Sequence, residues 1–230
     1  MQNAPNPVEG TLRKVSLRVP QAASECSGIL IFGKRIRSLV FSTDVSVIRN
    51  VNADAVIAVY PFTPQPVITQ AILLAADIPV FVGVGGGLTM GQRVVNLAMF
   101  AEMQGAIGVV VNEPTTNEII SRVTETIDIP LVATVARIDT DIDARVRAGA
   151  SIFNVSGAAR TPEIVASIRE KYPSIPIIAT GGPTEETAAR TVEAGANALT
   201  WTPPSCGEIF KGIMAAYREG KSYADAKKDH

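Results

Sequence analysis

Ser174-Ile175-Pro176-Ile177-Ile178-Ala179-Thr180-Gly181-Gly182-Pro183-Thr184 is followed by a helical run that closes on Ala194-Gly195-Ala196-Asn197-Ala198-Leu199-Thr200. The stretch reads as strand, glycine turn, helix, strand. A β-branched run bounded by proline and glycine fits a buried strand, and a glycine after the last helical turn fits a C-cap. Two glycines between strand and helix leave backbone N–H groups open to an oxyanion, and the helix start adds roughly half a positive charge. The same residues also serve as a plain tight turn.

Both ends of this unit recur. Asp77-Ile78-Pro79 and Asp128-Ile129-Pro130 lead into Val/Ile-rich runs as Ser174-Ile175-Pro176 does. Between them, Asn52-Ala53-Asp54-Ala55, Gln104-Gly105-Ala106 and Ala148-Gly149-Ala150 end helices as Ala194-Gly195-Ala196 does. Alternation of two junction types marks a repeated strand-helix unit. Eight strands are predicted: Ser38 to Ser42, Ala55 to Tyr60, Val80 to Val84, Ile107 to Asn112, Leu131 to Val135, Ser151 to Val155, Ile177 to Thr180 and Ala198 to Thr202. The first helix, Asp44 to Asn50, is short. Eight parallel strands with crossover helices close into a (β/α)8 barrel, an α/β fold. The alternative is a doubly wound open sheet.

Composition agrees. Hydrophobic residues make up 47% of the chain and aromatics only 5%, so the core is aliphatic, as parallel strands buried on both faces require. At 230 residues one barrel accounts for the length. The expected division is an N-terminal extension over 1–36, the barrel over 37–220 and a tail over 221–230. Within the extension, Pro20 to Gly33 reads as a helix covering the barrel floor, or as a segment that pairs with another subunit.

A net charge of −1 with no Lys/Arg-rich run argues against nucleic-acid and membrane-surface partners. Apolar runs such as Ile78 to Val84 are too short to span a membrane. The polar start Met1-Gln2-Asn3-Ala4-Pro5-Asn6-Pro7 has no apolar signal core, so a cytoplasmic location is expected. Cys26 and Cys206 suggest no disulfide framework. A homo-oligomer is favoured over a monomer by the apolar lead segment.

In such barrels chemistry sits at the C-terminal strand ends. The polar residues there are Ser42, Thr43 and Asp44; Tyr60 and Thr63; Gly85-Gly86-Gly87; Asn112 and Glu113; Thr134 and Arg137; Asn154 and Ser156; Thr180, Gly181 and Gly182; and Thr200, Thr202 and Ser205. Asp44 and Glu113 are the candidates for general acid and base, or for holding magnesium with a ligand oxygen. Asp44 equally suits the N-cap of the first helix, and Glu113 a solvated loop. The anion-binding candidates are Thr180, Gly181, Gly182, Gly85, Gly86, Asn154, Ser156, Arg137, Tyr60 and Thr202. Arg137 offers a bidentate clamp, and Tyr60 a hydroxyl or a stacking face. Gly83, Gly85, Gly86 and Gly87 together suggest a ligand approaching bare backbone, or a constriction filled by Trp201 or Phe62.

With Ile178-Ala179-Thr180-Gly181-Gly182 and Ala194-Gly195-Ala196, the chain from Ser38 onward resembles the phosphate-binding TIM barrels. That group includes keto-deoxy-phosphogluconate aldolase, N-acetylmannosamine-6-phosphate epimerase and thiamine-phosphate synthase. The resemblance implies a small phosphorylated ligand held after the seventh and eighth strands. The sequence departs from it at Thr202-Pro203-Pro204-Ser205, where two prolines supply no N–H donor. A carboxylate, or a phosphate held less completely, fits that change. No lysine stands at a C-terminal strand end, and Asn154 occupies the place of the aldolase lysine, so Schiff-base chemistry lacks its nucleophile. His230 is the sole histidine, at a chain end, which disfavours a histidine triad or zinc site.

Over nearly its full length the chain also resembles a bacterial family of small TIM-barrel proteins loosely labelled hydrolases. The shared segments are Ile31-Phe32-Gly33-Lys34, Val59-Tyr60-Pro61-Phe62-Thr63-Pro64, Val82-Gly83-Val84-Gly85-Gly86-Gly87 and Ala179-Thr180-Gly181-Gly182-Pro183-Thr184. The function expected is an enzyme acting on a small phosphorylated or carboxylated metabolite by carboxylate acid/base chemistry, with lyase, isomerase and hydrolase outcomes open and magnesium a candidate ion. Two alternatives are a non-catalytic metabolite sensor resembling the glycerol uptake antiterminator regulators, and a barrel binding flavin mononucleotide through the same loop.

Overall fold

The computed structural model describes residues 17–221. The 1–16 part of the extension, the tail beyond 221 and with it His230 lie outside the described residues.

Eight parallel strands close into the expected barrel. They are β3 (Ser38–Phe41), β4 (Ala55–Ala58), β5 (Val80–Gly85), β6 (Gly108–Val111), β7 (Leu131–Val135), β8 (Ile152–Val155), β9 (Ile177–Thr180) and β10 (Ala198–Trp201), with β10 pairing back onto β3. The open-sheet alternative is excluded by that closure. The intervening helices are α1 (Val45–Ile48), α2 (Pro66–Ala75), α3 (Gln92–Met103), α4 (Asn117–Thr124), α5 (Ile142–Arg147), α6 (Thr161–Lys171) and α7 (Glu185–Glu193), and α8 (Cys206–Arg218) follows β10.

The recurring junctions have physical reasons. Each Ile-Pro places a proline, which has no N–H, just before its strand, where the ladder needs only its carbonyl. Val56, Val109 and Phe153 donate their N–H groups to the carbonyls of Pro79, Pro130 and Pro176 at 2.8, 3.0 and 3.0 Å. Gly105, Gly149 and Gly195 adopt φ of 92°, 101° and 106°, the left-handed region that stops a helix. The next N–H then reaches back five residues, from Ala106 to Ala101, Ala150 to Arg145 and Ala196 to Thr191, satisfying the carbonyls of the last turn.

Alternation along the strands divides the core in two. Val40, Val56, Val82, Val109, Leu131, Phe153, Ile177 and Leu199 face outward onto Val94, Ala98, Ile120, Val123, Val165 and Ala188 of the helices. Leu39, Ile57, Phe81, Val110, Val132, Ile152 and Ile178 fill the barrel interior. A Cβ on Gly108 would lie 2.8 Å from the Phe81 ring, so a large side chain on β5 takes the space left by none on β6. Each such burial stabilises by roughly 1.5–3 kcal/mol.

The lead segment differs from expectation. Pro20 to Gly33 is not a floor helix; it forms a single 3-10 turn over Gln21–Glu25 and then enters the hairpin of β1 (Ile29–Ile31) and β2 (Lys34–Ile36). The Phe32-Gly33 turn has φ of 46° and 79°, as a two-residue hairpin with the right-handed twist requires. Alternation sends Ile29, Ile31 and Ile36 into the interior cluster, so the hairpin, rather than a helix, plugs the barrel floor. The 3-10 turn lies along α7, with Gln21 and Ala22 donating backbone N–H groups to Glu185 at 2.8 and 3.3 Å. On its other side Leu17 bridges to Val51 just beyond α1. Ala23 and Cys26 are buried there with Val40, Val47 and Leu199. The segment thus covers the outer wall between α7 and α1, and of the α8 residues only Ala216 is buried.

Candidate functional site

The two ends of the barrel are unlike. Above the apolar interior, the next inward positions at the C-terminal ends of β7 to β10 are Thr134, Asn154, Thr180 and Thr200, with Thr134 opposite Asn154 and Thr180 opposite Thr200 in register. Asn154 Nδ2 donates to Thr134 Oγ1 at 3.3 Å. Thr200 is 5% exposed, and its hydroxyl is buried without a hydrogen-bond partner. An unpaired buried hydroxyl costs free energy. Ser156 and Thr202, one further inward step up β8 and β10, are exposed at the opening.

The Gly181-Gly182 turn is built more tightly than the sequence suggests. Gly181 N–H is spent on Thr200 O at 3.2 Å. Thr184 and Thr187 form a reciprocal capping box, in which Thr187 N–H donates to Thr184 Oγ1 and Thr184 N–H to Thr187 Oγ1. Gly182 stands at φ 81°, and a Cβ there would lie 2.5 Å from Thr187 Oγ1, so both backbone and space require glycine. Glu185 and Glu186 offset part of the helix charge. After β10, Ser205 and Glu208 make the same kind of box at the start of α8.

The glycines at the end of β5 and just past it have packing reasons. A Cβ on Gly83 would meet Val59 at 2.9 Å, on Gly85 Val94 at 2.4 Å, and on Gly86, at φ 90°, Thr115 Oγ1 at 2.3 Å and the Asn112 backbone at 2.7 Å. Space beside Gly87 is open. The run also walls a cavity at the mouth, shared with Tyr60, Phe62, Leu88, Thr89 and Asn112. Tyr60 is held by Gln65, whose N–H donates to its hydroxyl at 2.9 Å. Thr89 and Thr115, buried and with unpaired hydroxyls, lie around this loop. Sequence reading passed over both; the available signal was a threonine two or three residues past a strand-end cluster.

The two carboxylates stand on different sides of the rim, with β4 and β5 between their strands. Asp44 Oδ1 accepts from Ser46 N–H at 2.9 Å, Ser46 Oγ at 2.6 Å and Val47 N–H at 3.3 Å, which makes it the N-cap of α1. The Ser46 hydroxyl, then Cys206 and the backbone N–H groups, pull its pKa down to about 2, burial opposing. Cys206 Sγ lies 2.7 Å from Ser46 Oγ, which joins the β3 and β10 loops. Glu113 accepts from Thr140 Oγ1 at 3.2 Å and lies 3.7 Å from Arg137 Nε. Arg137, largely exposed, pairs more closely with Asp139 at 3.1 Å. Arg145 fastens the loop from below through the carbonyls of Glu113 and Thr115.

The structure therefore brings Asn154, Thr180, Thr200, Ser156 and Thr202 to one wall of the mouth, and Tyr60, Gly85 and Gly86 to the opposite one. Asp44, Glu113 and Arg137 are placed on the rim. Among the described residues no three His, Cys, Asp or Glu side chains converge as a protein-only metal cage would need. Also among these residues, no helix is long and apolar enough to cross a membrane.

No family model and no curated protein matches the chain. Solved structures do. A phosphonopyruvate hydrolase in complex with oxalate and Mg++ aligns over 84% of this chain and 86% of its own at 14% identity and TM-score 0.62. Phosphoenolpyruvate phosphomutase from Streptomyces platensis subsp. rosaceus aligns over 81% and 84% at 13% identity and TM-score 0.61. A 2,3-dimethylmalate lyase, described as a PEP mutase/isocitrate lyase superfamily member, aligns over 87% and 83% at 13% identity and TM-score 0.59. At such identities the likeness establishes the barrel they share and nothing narrower.

Proposed function

We propose that the chain is a cytoplasmic small-molecule enzyme that takes a small anionic metabolite, phosphorylated or carboxylated, into the C-terminal mouth of its barrel. The observation that carries this reading is the buried, unpaired hydroxyl of Thr200 beside Thr180 and Asn154, above a barrel otherwise filled by apolar side chains and closed below by its hairpin. The similar folds named above include lyase, hydrolase and mutase enzymes, one with oxalate and Mg++ bound, which supports the reading as analogy of fold.

In this assignment Thr180, Thr200, Asn154, Ser156, Thr202 and the Gly182 backbone hold the ligand's oxygens, and Arg137 attracts its charge at the rim. Glu113 is the proton-transfer group. Asp44, ionised at any neutral pH because its hydrogen bonds favour the carboxylate, cannot deliver a proton there and serves as fixed negative charge. Magnesium usually takes one or two carboxylates and fills its shell with ligand oxygens and water. Asp44 would supply one carboxylate, the ligand the rest, and the bound ion would neutralise charge on the ligand.

The test is thermal-shift titration of the full chain with sugar phosphates and 2-oxo acids, with and without magnesium. A ligand found this way is then incubated with wild type and Glu113→Gln. Turnover by wild type alone supports the enzyme. Turnover by neither favours a binding-only role, for which the pertinent observation is that none of the inward positions Thr134, Asn154, Thr180 and Thr200 carries an ionisable side chain. Absence of any anion-induced shift refutes the site itself.

A further inference from the structure

We infer that the mouth has a second compartment, on its β4 to β6 side, that seats an apolar, ring-sized group of the ligand; this rests on the mouth being the ligand site proposed above. A cavity of about 200 Å³ opens there. For scale, an apolar protein cavity of roughly 150 Å³ takes up benzene. The space therefore accommodates a six-membered ring and the carbon that links it to a head group.

Its walls are made for such a group. Val59, Val110, Tyr60 and the bare backbone of Gly83 to Gly87 line it. Gly83 and Gly86 admit no Cβ without collision, so that wall stays flat. Phe62 and Leu88 stand at the opening, 70% and 80% exposed, two large apolar side chains in water that a ligand would cover. Thr89, 4% exposed, lines the cavity with a hydroxyl that has no partner, and Asn112 adds an amide. The exposed Asn112 amide thus offers one hydrogen bond to a polar substituent of the ring.

The position of this compartment defines the ligand. In the strand order β10-β3-β4-β5-β6-β7-β8-β9, β5 lies opposite β9, so the cavity faces the Thr180, Thr200 and Asn154 wall across the mouth. A ligand bridging the two has an oxygen-rich, anionic head and an aromatic or branched aliphatic tail. A compact head group such as pyruvate or inorganic phosphate would fill only half of the site.

Two probe pairs test this by calorimetry on the full chain: pyruvate against phenylpyruvate, and inorganic phosphate against phenyl phosphate. Within whichever pair binds, the ring-bearing member is expected to bind about tenfold tighter or better, because burying a ring removes apolar surface from water. Phe62→Ala should cut that ratio at least threefold while leaving the small member's affinity unchanged. Asn112→Ala should weaken 4-hydroxyphenylpyruvate relative to phenylpyruvate. Equal affinity within the pair that binds, or a ratio untouched by Phe62→Ala, overturns the compartment while the mouth reading stands. Binding by none of the four overturns both.

Discussion

Replacing Thr200 by valine should make the protein more stable and less able to bind. Valine has nearly the shape of threonine, and the hydroxyl it loses is buried without a partner. Such a group costs about 1–3 kcal/mol of desolvation that no hydrogen bond returns, and apolar replacement at constant shape recovers part of it. Taking about 1–2 kcal/mol as the gain, and about 2–4 °C per kcal/mol for a chain of this size, Thr200→Val should raise Tm by about 2 to 8 °C. Thr180→Val is the control. Thr180 is opposite in register but half-buried, so its hydroxyl meets water and the change should stay within about 0.5 kcal/mol. Differential scanning calorimetry gives the free-protein Tm, and the same scan at saturating ligand gives the binding response, which Thr200→Val should lose. A lower Tm for Thr200→Val, or a full ligand response at the higher Tm, would refute the idea that this hydroxyl is held unpaired for a ligand.

Asp44→Ala removes a helix cap, and above pH 4 it should cost about 1 kcal/mol. Because the folded pKa of Asp44 is depressed to about 2, its stabilisation is complete above the unfolded carboxylate pKa and fades as pH falls from about 4 to about 2; urea midpoints of wild type and variant should converge over that window. Gly86→Ala forces a Cβ into Thr115 and the Asn112 backbone at a left-handed φ, so a loss of about 3 kcal/mol or more is expected in chemical denaturation. Burial pushes the Cys26 thiol up to about 11, partly offset by Arg37, whereas Cys206 is half-exposed. At pH 8 one thiol per chain should react promptly with a disulfide reagent and the second only after unfolding; a peptide map placing the early label on Cys26 would contradict the packing.

Much of the barrel was legible because its signals are local. A proline before each of three strands and a glycine after each of three helices mark unit ends whatever lies around them, and predicted strand limits match those found to within two residues. The lead segment was less legible. Gln21-Ala22-Ala23-Ser24-Glu25 has good helix formers but forms only a 3-10 turn, since its place is set by α7. The hairpin was in view as alternating isoleucines around Phe32-Gly33, a period of two that the helix reading overlooked. At the site, Thr180, Asn154 and Ser156 could be placed from strand ends alone. Which hydroxyl is left unpaired could not, because the burial of Thr89, Thr115 and Thr200 depends on neighbours distant in sequence. The role of Asp44 as a cap was readable, yet the Ser46 hydroxyl that bonds to it also meets Cys206, 160 residues further along the sequence.

The lead segment also bears on when this protein can fold during synthesis. Residues 17–28 rest on α7 and on the turn before β10: Gln21 binds Glu185, and Gly28 N–H donates to Asn197 O at 2.9 Å. Those partners leave the ribosome 164 or more residues later. At roughly 5–20 residues per second the beginning of the chain waits on the order of ten seconds or more, with Ala23, Cys26 and the hairpin isoleucines uncovered. Barrel closure by β3 and β10 and docking of the lead segment thus belong to one late event, which favours slow, all-or-none folding governed by distant contacts. Moving the lead segment to the other end of the chain by circular permutation would bring these partners close in sequence, and it should speed refolding while leaving the mouth untouched.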